Sequence, residues 1–186
     1  MSKNYKIAVI VGSLREESVN RKSAKALGRL AADNLEFNFI EIGDLPLYNE
    51  DIDTADAPAP WKRFRKIVSQ ADAVLFVTPE YNRSVPGVLK NAIDVGSRPY
   101  GQSVWEKKPA AIMSVSPGNI GGFGANHHLR QSLVFLDMPI LQQPEAYVGG
   151  AYDMFDEKGE FQTDRSRDFF QKFIDAFGAW IERFEQ

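Results

Sequence analysis

The chain has no cysteine, so disulfide staples, thiolate nucleophiles and cysteine-ligated metals lie outside its chemistry. Histidine is almost as scarce. The two present, His127 and His128, are adjacent, point to different faces of any helix, and have no Asp, Glu or Cys at metal-ligand spacing, so no metal site is expected. No G-x-S-x-G elbow occurs and neither histidine has an identifiable acidic partner, which leaves hydrolase chemistry without support. An excess of charge is missing too: 22 Lys and Arg against 25 Asp and Glu give a net charge of -3, too small to draw a polyanion, and no nucleic-acid partner is expected. Long hydrophobic runs are also absent. The apolar run that begins at Ile7 is too short for a secretory signal or a membrane span, so no membrane partner and a cytoplasmic location are expected. With no repeat, low-complexity tract or obvious linker, 186 residues suit a single domain spanning 1–186.

What is present is a regular alternation of strand and helix signals. Residues 7–11 form an unbroken apolar run rich in β-branched side chains, as in a strand buried on both faces. Ser18 stands at the head of "SVNRKSAKALGRLAADN", which places Val19, Ala24, Ala26, Leu27, Leu30 and Ala31 in a helical stripe. "LEFNFIEI" alternates with Leu35, Phe37, Phe39 and Glu41 on one face, as in a strand near a sheet edge. "GDLPLYNEDIDTADAPAP" reads as a long loop that ends where Pro60 starts the helix "PWKRFRKIVSQA". "DAVLFVT" and "AAIMSVS" are further buried strands, stopped by Pro79 and by the Gly-rich "PGNIGGFGA". Helices are expected over "PGVLKNAIDVGSR" and "NHHLRQSLVFLDM", and a short strand within "PILQQPEAYVG". The terminal helix "TDRSRDFFQKFIDAFGAWIERFEQ" would turn Phe169, Phe170, Phe173, Ile174, Phe177, Ile181 and Phe184 inward. This alternation predicts a doubly wound α/β domain whose parallel sheet is covered on both faces. Ligands of such sheets sit beyond the carboxyl ends of the strands where strand order reverses, which singles out the loops after the first, third and fourth strands.

Those three loops are chemically unusual. "VGSLREESVN" is either a turn with a helix cap or an anion cradle: Ser13, Ser18 and Asn20 offer neutral donors, Arg15 the one nearby positive charge, and a helix start offers free N–H groups. It lacks the lysine of a Walker A loop and the glycine spacing of a dinucleotide fingerprint. An anion there requires Glu16 and Glu17 to face outward. "TPEYNRSVPGVLKNAID" sets Glu80, Tyr81 and Asn82 between Pro79 and Pro86, either a rigid polar rim for a flat heterocycle or a bracketed turn. In the third loop, Ser116, Gly118, Gly121 and Gly122 let backbone approach a ligand, or make a plain loop.

On these segments the sequence resembles the NAD(P)H-dependent FMN reductase family of flavodoxin-like proteins, in particular the bacterial soluble quinone and chromate reductases. The resemblance implies a flavodoxin-like three-layer sandwich with a five-stranded parallel sheet in the order 2-1-3-4-5. It implies non-covalent FMN, with NADH or NADPH as co-substrate and two-electron transfer in alternating half-reactions to quinones, chromate being a further acceptor of this type. It also implies a homodimer or homotetramer. By the same resemblance Ser13, Arg15, Ser18 and Asn20 surround the FMN phosphate, with Val19 contributing backbone; Pro79, Glu80, Tyr81, Asn82 and Arg83 run along the isoalloxazine; Ser116 and Gly118 form a third wall. Hydride chemistry belongs to the flavin, so no catalytic side chain is named. The chain departs from the family at Val95 and Gly96, where many relatives carry Trp after the "NAID" segment, and at His127, where relatives carry other, sometimes aromatic, residues. The alternatives are a flavodoxin-type electron carrier docking on protein partners, for which a charge of -3 provides little steering, and a non-redox binding protein on the same fold.

Overall fold

In the computed structural model, which describes residues 3–184, strands and helices alternate. The strands are β1 (Tyr5–Val11), β2 (Leu35–Ile40), β3 (Ala73–Thr78), β4 (Ala110–Val115) and β5 (Ala146–Val148). The helices are α1 (Val19–Leu30), α2 (Ala59–Ser69), α3 (Gly87–Gly96), α4 (Phe123–Phe135) and α5 (Asp164–Glu182). All strand pairs are parallel and the order is β2-β1-β3-β4-β5, the flavodoxin-like order that the family resemblance implied.

The unbroken apolar runs of β1, β3 and β4 feed two cores, because successive side chains of a strand point to opposite faces. Ile7, Val9 and Val11 of β1 pack with Leu75, Val77 and Met113 under α1 and α5. Ala8 and Ile10 pack with Phe76 and Ile112 on the other face, against Trp61 and Phe64 of α2 and Leu129 and Leu133 of α4.

Local signals set the ends of the elements. Ser18 caps α1, its hydroxyl accepting the Arg21 N–H at 3.2 Å, and the helix stops at Leu30 because Ala31 is extended. β2 is less regular than its alternation predicts. Leu35 and Ile40 are buried, Phe37 is half-buried, and Phe39 is 36% exposed, since an edge strand is covered only along part of its length. Glu41 lies beyond the strand, where its carboxylate accepts the N–H groups of Ile42 and Gly43. The long loop after β2 contains a 3-10 turn, Glu50–Ile52, and is fastened to the helices. Trp61 Nε1 donates to the Pro46 carbonyl at 2.9 Å, the Asn91 amide bridges residues 45–48, and Arg65 grips Asp53 with two bonds of 2.8 and 2.7 Å.

At the end of α3, Gly96 accommodates the buried indole of Trp105, which occupies the space a side chain would need. α4 starts at Phe123, ahead of the expected Asn126, and shortens the Gly-rich loop. In α5 the expected stripe is buried at Phe170, Phe173, Ile174, Phe177 and Ile181, and Phe169 is half-buried. Phe184 falls past the end of the helix and is 40% exposed, its ring edge-on to Trp180 at 5.0 Å. The last two residues of the expected helix, Glu185 and Gln186, lie outside the described residues.

Candidate functional site

A cleft of about 250 Å3 opens at the carboxyl ends of β1, β3 and β4, on either side of the point where strand order reverses. Larger hollows of about 530 and 470 Å3 lie near Pro139 and Arg183 and near Lys3 and Pro109, toward the amino ends of the strands. The smaller cleft gathers residues from all three unusual loops.

The first loop contributes Ser13, Arg15, Ser18, Val19 and Asn20. Gly12 lets this loop come close to β3: a Cβ there would stand 2.9 Å from Thr78 Oγ1, and the Gly12 N–H donates to the Val77 carbonyl at 2.9 Å. Ser18 engages the N–H of Arg21 through its hydroxyl and that of Lys22 through its carbonyl, and among the described residues the Val19 and Asn20 N–H groups at the head of α1 have no acceptor. Ser13, Ser18 and Asn20 are buried, Arg15 is exposed, and among the described residues no carboxylate pairs with Arg15. Glu16 and Glu17 turn outward, as an anion site requires. Lys22 holds Glu17 at 2.6 Å and its hydrogen bond keeps that carboxyl below its ordinary value. An anion at this helix start would meet unpaired N–H groups, hydroxyls and a guanidinium.

Asn20 provides a test of what else fits. Its amide donates to the Val115 carbonyl at 3.3 Å, while its buried Oδ1 has no protein partner. A buried acceptor left unpaired is costly, and a ligand hydroxyl or N–H in the cleft would satisfy it. A phosphate ester carrying a polyhydroxylated chain, such as FMN, matches this donor and acceptor set.

From the second loop, Pro79, Glu80 and Tyr81 line the cleft, with Tyr81 51% exposed at its rim. Asn82 and Arg83 do not. They form the tip of a tight turn closed by Tyr81 N–H to Ser84 O (3.1 Å) and Ser84 N–H to Tyr81 O (3.0 Å), and φ values of +52° and +62° leave both exposed outside the lining. The third loop brings Ser116, while Gly118 lies outside the lining because its N–H folds back onto Ser116 Oγ at 3.2 Å. Val115, Pro117 and Tyr152 complete the cleft and were not singled out from sequence. Val115 ends a buried strand and Pro117 adjoins Ser116, so position alone marks both. Tyr152 comes from the 3-10 turn Ala151–Asp153 beyond β5, and no local signal marks it.

The histidines sit outside the cleft. His127 Nε2 is 2.9 Å from the Tyr147 hydroxyl, beside the ring of Phe123. Burial and the neighbouring Glu145 push the Tyr147 phenol up to about 12. His128 Nδ1 is 3.0 Å from Ser84 Oγ.

A parallel sheet that reverses its order at a cleft bounded by a helix start and an aromatic rim defines a doubly wound, nucleotide-cofactor protein. Residues 5–153 match the model of the NADPH-dependent FMN reductase family, and the chain belongs to that family, which brings FMN as cofactor and NAD(P)H as electron source. It is 63% identical over 182 residues to a quinone reductase of Pseudomonas putida, covering 98% of this chain and 97% of that one. A 2-hydroxy-1,4-benzoquinone reductase of a Burkholderia species is 47% identical over 176 residues, covering 95% and 96%. The flavoenzyme NAD(P)H:(acceptor) oxidoreductase FerB of Paracoccus denitrificans superposes with a TM-score of 0.92 at 44% identity, over 97% of this chain and 98% of that one.

Proposed function

We propose that the protein is an FMN-dependent NAD(P)H:quinone reductase that holds its flavin in the cleft beside α1. The observation that carries this is the junction, in one cleft, of the unpaired α1 helix start with Ser13, Ser18 and Arg15, the unpartnered Asn20 Oδ1, and the Tyr81 rim. The names of the similar reductases from Pseudomonas putida and the Burkholderia species support quinones as the acceptor class.

When bound, FMN would supply the two-electron chemistry, taking hydride from NAD(P)H and delivering reducing equivalents to the acceptor. Ser13, Arg15, Ser18 and the backbone N–H groups of Val19 and Asn20 would hold its phosphate end, while Asn20 Oδ1 would accept a hydroxyl of its polyhydroxylated chain. Pro79, Glu80, Tyr81 and Ser116 would border the ring system. The Glu80 carboxylate is already engaged by the Ala125 N–H and Arg83, so the cleft residues bind and orient rather than shuttle protons. Tyr81 and Tyr152 are both more than half exposed, which keeps the mouth open and favours donor and acceptor using one face in turn. Few directional contacts at such a mouth select weakly among flat or small acceptors, chromate included. The two cores share one sheet, which supports a single domain, and the exposed Phe123 and His127, packed on the half-buried Tyr147, support a homodimer or homotetramer.

The test is direct. Purified protein supplied with FMN should turn yellow and oxidise NADPH only when a quinone is added. Colour without nicotinamide oxidation would point to an electron carrier, and failure to take up FMN would end this reading altogether.

A further inference from the structure

α4 begins without a cap of its own. Gly122, at φ +73°, precedes its first turn and has no side chain to accept a helix N–H. The first N–H bonded back into the helix start is that of Asn126, to the Gly122 carbonyl at 3.0 Å, so the Ala125 N–H needs an acceptor from elsewhere. Glu80 provides it from the second loop, which lies against the start of α4. Its Oε2 accepts the Ala125 N–H at 3.0 Å and its Oε1 accepts Arg83 Nη1 at 2.9 Å. With only 10% of its side chain exposed, the carboxylate works with little screening by water.

The neighbouring residues are shaped around this contact. A Cβ on Gly124 would stand 2.8 Å from Glu80 Oε2 and 2.8 Å from the Arg83 carbonyl oxygen, so glycine is what lets the second loop lie on the helix. One turn further on, His128 Nδ1 meets Ser84 Oγ at 3.0 Å. On the other side, Ser114 Oγ donates to the Gly121 carbonyl at 2.6 Å and fastens the start of α4 to β4, from whose end Ser116 and Pro117 run into the cleft.

We propose that Glu80 is a positioning residue: its carboxylate is the external cap of α4 and locks the Tyr81 wall of the cleft to the wall formed by Ser116 and Pro117. A carboxylate at a helix start gains from both the N–H bond and the helix dipole. With the two walls joined, the width of the cleft is set before a ligand arrives, and binding need not order them. The consequence for affinity rests on the cleft being the FMN site; the cap does not.

The experiment compares wild type, Glu80→Gln, which keeps an acceptor oxygen at the same reach, and Glu80→Ala, which removes it. Hydrogen exchange of the Ala125 amide is followed by NMR in flavin-free protein, and the FMN dissociation constant is measured by quenching of flavin fluorescence below the melting temperature of every variant. Wild type and Glu80→Gln should protect the Ala125 amide, and Glu80→Ala should lose protection and bind FMN about tenfold more weakly, the change one such hydrogen bond brings. Recovery of affinity in Glu80→Gln separates positioning from a general loss of stability. An Ala125 amide equally protected in Glu80→Ala overturns the cap. Lost protection with unchanged FMN affinity overturns the coupling of the walls, and so does weakened affinity that Glu80→Gln fails to restore. If Glu80→Ala does not fold, Glu80→Asp, one methylene too short to reach, takes its place with the same outcomes. Wild type that binds no FMN would end the cofactor reading and leave the exchange result to decide the cap.

Discussion

The indole of Trp105 occupies the place where a side chain on Gly96 would stand: its Cε2, Cζ2 and Nε1 atoms lie 2.5–2.6 Å from the position of a Cβ on residue 96. Trp105 is wholly buried, donates its Nε1–H to the Ile93 carbonyl at 3.0 Å, and packs against Phe64 and Phe76 with ring centroids 5.8 and 5.9 Å away. It cannot move without disturbing that packing. Gly96→Ala is therefore expected to cost about 1–3 kcal/mol, as overpacked cores do. Urea denaturation measures it, and unchanged stability would show that the indole has room to shift.

The turn at Asn82 and Arg83 has positive φ at both central residues, a conformation that suits Asn and Gly and disfavours Arg. Arg83→Gly should therefore raise stability by about 1 kcal/mol. The pair lost with Glu80 offsets only part of this, since the Arg83 side chain is 69% exposed and the Glu80 carboxylate keeps the Ala125 N–H. A lower melting temperature in this variant would contradict the assignment of strain to residue 83.

Ser18 has two tasks that substitutions can separate. Ser18→Ala removes the cap on the Arg21 N–H and should destabilise the protein by about 1 kcal/mol while weakening FMN binding. Ser18→Asp keeps a capping acceptor but sets a carboxylate where the phosphate is proposed to lie. Its melting temperature should stay near wild type while its FMN affinity falls further than that of Ser18→Ala. Equal affinities in the two variants would place the phosphate elsewhere.

Asp53 makes stability depend on acid. The two Arg65 hydrogen bonds hold its carboxyl below the ordinary value of 3.8, against the opposing effect of burial. A carboxyl lowered by folding adds stability above its unfolded pKa and loses it as the pH falls through the folded value. Wild type should accordingly lose stability below about pH 4. Asp53→Asn should be weaker by about 3 kcal/mol at neutral pH, because Arg65 is left buried without its partner, and should show a shallower acid slope. Urea midpoints measured down the acid range test both. Glu17 and Asp44 are lowered by Lys22 and Arg63 in the same way but sit at the surface and contribute little.

Local chemistry was legible in the sequence and long-range placement was not. The Ser18 cap and the buried strands follow from neighbours in the chain and are found, whereas the orientation of Glu16 and Glu17 is open in the sequence and is outward in the structure. The strand order came from family resemblance, since periodicity says nothing about which strand lies beside which. Phe39 follows its alternation yet remains partly exposed, because coverage of an edge strand depends on helices far along the chain. Asn82 and Arg83 sit in the motif and outside the cleft lining because a turn geometry, not composition, aims them. Tyr152 is brought to the cleft by the path of the chain after β5, which no short window of sequence encodes.

The strand order also dictates when the protein can mature. β1 pairs with β2 and β3, both made after it, so this interior strand leaves the ribosome with its hydrogen-bonding edges unmatched. Ser13, Ser18 and Asn20 emerge early, Pro79 to Tyr81 much later, and Tyr152 last of all. Before the later segments are made, only one wall of the cleft exists. If the cleft is the flavin site, as proposed above, cofactor capture is expected to be a late event in biogenesis, because a chain that stops before Tyr152 lacks one of the residues that line the cleft.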